Sequence, residues 1–201
     1  MLRLLFILLF TCITAIGFSQ KLPTQYYRAQ AAIENNNLLL ASKFIDSSIA
    51  ANPRNPLLLL KKGEIEFRKT NFAEAVESFY AAESIRNGIA SYWLARTYAM
   101  QADTVNAFLE LERHLGTTPK EIEASILLDT AFNKIKNTTQ WRKLWLNDWY
   151  SPNERLLADI AYNLSREDWE IAIDILNNRM HGRKTRHQLY ALRGEAYFNS
   201  G

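Results

Sequence analysis

Residues Leu57 to Ile85 read LLLLKKGEIEFRKTNFAEAVESFYAAESI, and this stretch decides the fold. Its second half places Ala75, Phe79 and Ala82 at steps of four and three, which is one face of an α-helix. Its first half carries Gly63 on an earlier helix, where a missing side chain lets a neighbouring helix come close. Between the two, Asn71-Phe72-Ala73-Glu74 has the form of a capping box and predicts the start of the second helix there.

The same grammar recurs outward from this unit. Upstream, Ala29 stands in the place of Gly63, and Ala41, Ile45 and Ser48 correspond to Ala75, Phe79 and Ala82. Downstream, Leu94, Ala95 and Tyr98 open a third unit, continued by Ala107 and Leu111 at the same four-residue step. A fourth runs from Leu156 to Met180 through Trp169, Ala172 and Leu176, and a fifth begins with Tyr190, Leu192, Gly194 and Tyr197. A small residue opposite a large apolar one at a fixed period is the signature of stacked helix pairs, which cannot bury their apolar faces singly. The helix pairs are predicted near 24–52, 56–86, 89–115 and 152–180, with a lone helix from about 185. Asn55-Pro56 and Ser151-Pro152 supply a capping residue followed by a proline whose missing N–H costs nothing.

In its order of small, aromatic, alanine, large apolar and alanine positions, the unit resembles the tetratricopeptide repeat (TPR), and the second unit matches best. The first departs most, because Arg28 and Ala32 occupy positions that are apolar or aromatic in that family. The resemblance implies an all-α fold, a right-handed solenoid of helix-turn-helix units. It runs in two blocks, residues 20–115 and 151–201, joined by a helical cap or elbow over 116–150. The last repeat stops at Asn199-Ser200-Gly201, so Tyr190, Tyr197 and Phe198 are expected either to await a continuing helix or to form an association face.

The elbow is expected to open with Thr118-Pro119-Lys120-Glu121 as a second capping box and to end in a helix bearing Trp141, Trp145 and Trp149. Those tryptophans fall at i, i+4 and i+8 and read first as a packing stripe, with Trp149-Tyr150 the pair left exposed; an aromatic binding platform is the alternative.

Composition narrows the function. The 24 basic and 21 acidic residues leave a net charge of +3, too little to indicate nucleic acid as a partner. Met1-Leu2-Arg3, the apolar run Leu4 to Ile16 and the small residues Gly17 and Ser19 have the layout of a signal peptide over residues 1–19. The run is about 13 residues against the ~20 that span a bilayer. Export to the periplasm or cell surface is the expectation, with membrane contact only if that segment stays uncleaved or the chain continues. Cys12 lies within it, so cleavage after Ser19 leaves no thiol.

No metalloprotease, phosphate-loop or nucleophile-elbow motif occurs, and His114, His181 and His187 have no second ligand or acid–serine partner at a useful spacing. His114 reads as a helix C-terminal residue favoured by the macrodipole, and His181 to His187 as a basic solvated loop. The chain is therefore read as a non-enzyme with no cofactor, no metal and no small-molecule substrate, and its expected partner is a protein or peptide. The TPR resemblance places the partner groove on first-helix positions: Tyr26, Gln30 and Glu34, then Leu60, Glu64, Phe67 and Arg68, then Tyr92, Arg96 and Met100. Tyr26, Gln30, Glu64, Arg68, Tyr92 and Arg96 are the candidates to touch a partner, while Leu60 and Phe67 read as packing. A scaffold for a peptide or protein is the first function expected; the exported sensory region of a longer membrane receptor or signalling kinase is the alternative.

Overall fold

A computed structural model describes residues 23–179 and 187–200. The expected signal peptide with Cys12, and residues 180–186 of the expected basic loop, lie outside the described residues. Within them the chain is all-α: eleven α-helices, one 3-10 turn and no strand. No helix among the described residues is long and apolar enough to cross a membrane.

The first six helices form three antiparallel pairs: α1 (Thr24–Glu34) with α2 (Leu38–Ala51), α3 (Pro56–Arg68) with α4 (Phe72–Ile85), and α5 (Ser91–Met100) with α6 (Thr104–Leu115). Each pair also packs on the next, α2 against α3 and α4 against α5. The small residues make this possible. Ala29, Ala41, Ala75, Ala82, Ala95 and Ala107 have no exposed surface, and a Cβ on Gly63 would sit 2.9 Å from Phe79 Cζ and nearer still to two other ring carbons. Phe79 itself is fully buried, a burial that contributes about 1.5–3 kcal/mol and that Gly63 permits. The buried hydroxyls of Ser48, Ser78 and Thr97 donate to the carbonyls of Phe44, Glu74 and Trp93 one turn back, so none is left unsatisfied.

The turn inside each pair repeats more closely than its sequence does. Asn36, Thr70 and Ala102 all have φ between 55° and 63°, and so does Glu167 in the corresponding turn between α9 (Pro152–Ser165) and α10 (Trp169–Arg179). In all four the left-handed residue donates its N–H to the carbonyl three residues back, onto Ile33, Phe67, Ala99 and Leu164. The following residue donates to the carbonyl five back, onto Ala32, Glu66, Tyr98 and Asn163. These paired bonds close the C-terminus of the first helix. That following residue is Asn37, Asn71, Asp103 or Asp168, recurring at a nearly even interval that doubles across the elbow, and each stands just before the next helix. The Asn37 and Asp103 side chains cap it, accepting from Leu40 N and Asn106 N at 3.1 and 3.2 Å. Asn71 does not form the expected capping box. Its amide instead donates to Glu66 Oε2 at 2.8 Å, drawn back to the preceding helix.

The remaining elements are α7 (Glu123–Leu128), the 3-10 turn Thr130–Phe132, α8 (Thr139–Leu144) and α11 (His187–Ser200), which packs on α10. Two expectations for the elbow are corrected. Thr118-Pro119 opens no helix: α7 starts at Glu123, because Glu121 N–H donates to His114 Nε2 and Glu121 C=O accepts from Tyr150 Oη, holding that stretch irregular. The three tryptophans do not share one helix. Trp145 is the C-cap of α8, and Trp149 lies beyond it with Nε1 donating to Leu144 O at 2.7 Å, taking a carbonyl that a continuing helix would use.

All three still pack into one core with Phe108, Leu111, Phe132 and Ile135, and Tyr150, expected to be exposed, is buried there as well. At the other end, Ser151 and Glu154 form a complete capping box at the start of α9. Tyr190, Tyr197 and Phe198 on α11 are exposed, and Gly194 faces open space.

Candidate functional site

The six candidate contact residues fall into two groups. On α1 and α3, Lys61 is the hub: Nζ donates to Gln30 Oε1 at 2.8 Å, lies 2.5 Å from Glu64 Oε2, and sits 5.6 Å from the centre of the Tyr26 ring. Gln30 passes the chain on to Glu34 at 2.9 Å, and Glu64 accepts from Arg68 Nε at 3.1 Å. Glu64 is buried, and its flanking cations supply the charge that makes this tolerable. Arg68 keeps about half of its side chain in solvent, with 48% exposed.

On α5, Tyr92 Oη donates to Asp129 Oδ2 at 2.8 Å, and Arg96 Nε lies 2.7 Å from the same oxygen. The other carboxylate oxygen accepts from Ala131 N and so caps the 3-10 turn. The Arg96 guanidinium also lies over Trp93 and Phe67, 4.3 and 4.9 Å from their ring centres. This second group therefore ties α3, α5 and the elbow together. Burial, and then the hydrogen bond to Asp129, push the Tyr92 phenol well above its ordinary value, so it remains a donor.

Among the described residues, no hydrogen bond or ion pair joins the two groups; Phe67, on the same helix as Glu64 and Arg68, meets Arg96 and Trp93 through its ring. Two members of these groups, Lys61 and Asp129, are not among the residues that the sequence singles out for the site. Lys61 had a signal in its i, i+3 spacing from Glu64, whereas nothing local links Asp129, in the elbow, to Arg96 on α5.

Beside the second group lies a cavity of about 720 Å³ lined by Leu60, Arg86, Tyr92, Trp93, His114 and Glu121, among others. Leu60 and Tyr92 are equivalent first-helix positions, and both face it. His114 is in the last turn of α6, as its sequence context implied, but is buried against Tyr92 with ring centres 5.0 Å apart. Its Nε2 receives Glu121 N–H at 3.1 Å and stands 2.6 Å from Glu121 Oε2. This contact, outweighing desolvation, holds the Glu121 carboxyl below the usual range. Among the described residues, no three His, Cys, Asp or Glu side chains converge to hold a metal ion. The site thus holds hydrogen-bond donors and acceptors engaged with one another, partly buried aromatic rings and the cavity beside them. Compared with known protein families and with curated proteins, the chain matches no family profile and no curated sequence.

Proposed function

We propose that this chain is an exported TPR-type interaction scaffold, which holds an extended peptide or a helix of a partner protein along the first-helix face of α1, α3 and α5. The observation that carries the reading is the repeated turn. Four helix pairs close on the same two backbone hydrogen bonds, with a left-handed residue at 36, 70, 102 and 167. A regular period in backbone geometry supports a stacked-repeat architecture independently of the alanine and leucine positions. The first-helix positions Tyr26, Leu60 and Tyr92 then recur in register, as do Gln30, Glu64 and Arg96. Export rests on the apolar leader, Leu4 to Ile16, followed by small residues.

A random peptide library displayed on phage, panned against the full chain, tests the reading. Enriched peptides should bind in fluorescence polarisation, and Gln30→Ala with Arg68→Ala should weaken them about tenfold while helix content stays unchanged. These two residues are chosen because Tyr92 and Arg96 hold the elbow, so their loss would disturb packing as well. Peptides that bind the double variant as tightly as the wild type would remove the groove from α1 and α3.

A further inference from the structure

A second cavity, of about 560 Å³, lies on the far side of the elbow, between residues 118–127 and the first turns of α9. It shares Thr118 and Pro119 with the first cavity but none of the six candidate contact residues. Pro119, Ile122 and Leu127 form one wall, Leu157, Ala158 and Ala161 the other, and Tyr150 also lines it. Ile122 and Leu127 keep 39% and 40% of their surface exposed, although each has the cavity beside it as a place to bury. The volume falls within the ~300–1,000 Å³ of small-molecule pockets, and the walls are mostly apolar, as such pockets are.

The charges around it are unequal. Two cations, Lys120 and Arg155, face three carboxylates, Glu123, Glu154 and Asp159, leaving a net −1 on the lining. Both cations are already engaged: Lys120 Nζ lies 3.0 Å from Glu154 and over the Tyr150 ring, and Arg155 pairs with Asp148 outside the lining. Among the described residues, Glu123 and Asp159 have no cationic partner, so the charge left to a newcomer is negative on both. The Tyr150 phenol registers two of these carboxylates, Glu123 and Glu154. Burial raises its pKa first, and then the carboxylates of Glu123, Glu121 and Glu154 raise it further.

We propose that this cavity binds a small organic cation, its apolar body seated between Leu127 and Leu157 and its ammonium or guanidinium head held by Glu123 and Asp159. An anion of the same shape would meet two unpaired carboxylates, and a neutral body would leave them as they are. The site needs nothing from the first-helix face and stands or falls apart from the scaffold reading.

The test is a ligand-observed NMR titration of the full chain with 4-phenylbutylamine, 4-phenylbutanol and 4-phenylbutyrate, three probes with one body and different heads. The amine should bind saturably and about tenfold tighter than the alcohol, the worth of one charge-assisted hydrogen bond, and the carboxylate weakest of all. Glu123→Gln with Asp159→Asn should bring the amine down to the alcohol's affinity. Ala161→Trp, at an exposed position on the wall, should weaken amine and alcohol alike. Equal affinities for all three heads, no saturable binding by any, or an amine preference that survives the double carboxylate variant would each overturn the proposal. So would sedimentation showing a dimer that the amine disperses, since the occupant would then be a second copy of the chain.

Discussion

Thr70 holds a conformation that its side chain resists. A β-branched residue at φ 63° crowds its own backbone, and the left-handed region costs an L-residue about 1–2 kcal/mol. The two hydrogen bonds of the turn, from Thr70 and Asn71 to Phe67 and Glu66, impose it nonetheless. Thr70→Gly relieves the crowding while making the unfolded chain freer, so the expected outcome is a gain of about 0.5–1 kcal/mol in urea denaturation. A loss of stability would mean that the Thr70 side chain contributes a contact outweighing its strain. At this scale the sequence spoke clearly where a position demands a size: Ala29, Gly63, Ala75, Phe79 and Ala82 were all legible as a buried seam, and all are buried. It was silent where a position demands only a dihedral. Asn36, Thr70, Ala102 and Glu167 share no side-chain chemistry, because backbone groups close the turn. The trace such turns leave is the residue after them, Asn or Asp in each case.

At the scale of the element, local rules held for the proline-led caps at Asn55 and Ser151 and failed where a side chain from outside the motif engaged one of its groups, as Glu66 engages the Asn71 amide. Asn55-Pro56 and Ser151-Pro152 begin helices as read, with Asn55 Oδ1 accepting from Leu57 N and Ser151 Oγ from Glu154 N. Thr118-Pro119 has the same local form and begins none, since His114 and Tyr150 take the backbone of Glu121. The tryptophan stripe fails for the same reason: Trp149 satisfies Leu144 O from beyond the helix, a contact no periodicity encodes. The α1–α3 contact group was partly legible because its residues are neighbours along helices, whereas Asp129 reaches Tyr92 and Arg96 only through the fold.

The capping box of α9 also sets a pH dependence. Hydrogen bonds from the Ser151 side chain and backbone, then Lys120, hold the Glu154 carboxyl down to about 2, from an ordinary 4.5. A depressed folded-state value means that this contribution is complete above pH 4.5 and is lost as pH falls toward about 2. Ser151→Ala should lower stability at neutral pH by about 1 kcal/mol and make the acid limb of a urea-midpoint profile shallower. An unchanged acid limb would show that the backbone N–H of residue 151 and Lys120 hold Glu154 without the hydroxyl.

Across the whole molecule, the core is divided. Ala95, Leu111, Phe132 and Trp141 belong to one buried cluster, Ile45 and Leu58 to a second, Phe79 and Leu94 to a third, and Ile160 and Leu176 to a fourth formed by α9 to α11. The fourth meets the elbow at the Lys120–Glu154 and Arg155–Asp148 pairs and across the cavity beside them, which is a thin connection for three helices. Hydrogen exchange followed by mass spectrometry should therefore show α9 to α11 exchanging well before α3 to α6, by local opening of that unit. Equal protection in the two regions would show that the clusters open as one. The shared turn carries a consequence for heredity as well. Asn36 is followed by Asn37 and Thr70 by Asn71, so excising residues 37–70 from the gene would join Asn36 directly to Asn71, restoring the same residue pair at the junction. The turn rests on backbone groups and so can be cut and rejoined there, but the rejoined pair would set Ala29 where Gly63 now makes room for Phe79. Unequal recombination between such turns changes the chain by whole units, with selection left to act on the seam between the rejoined helices as well as on the faces they present.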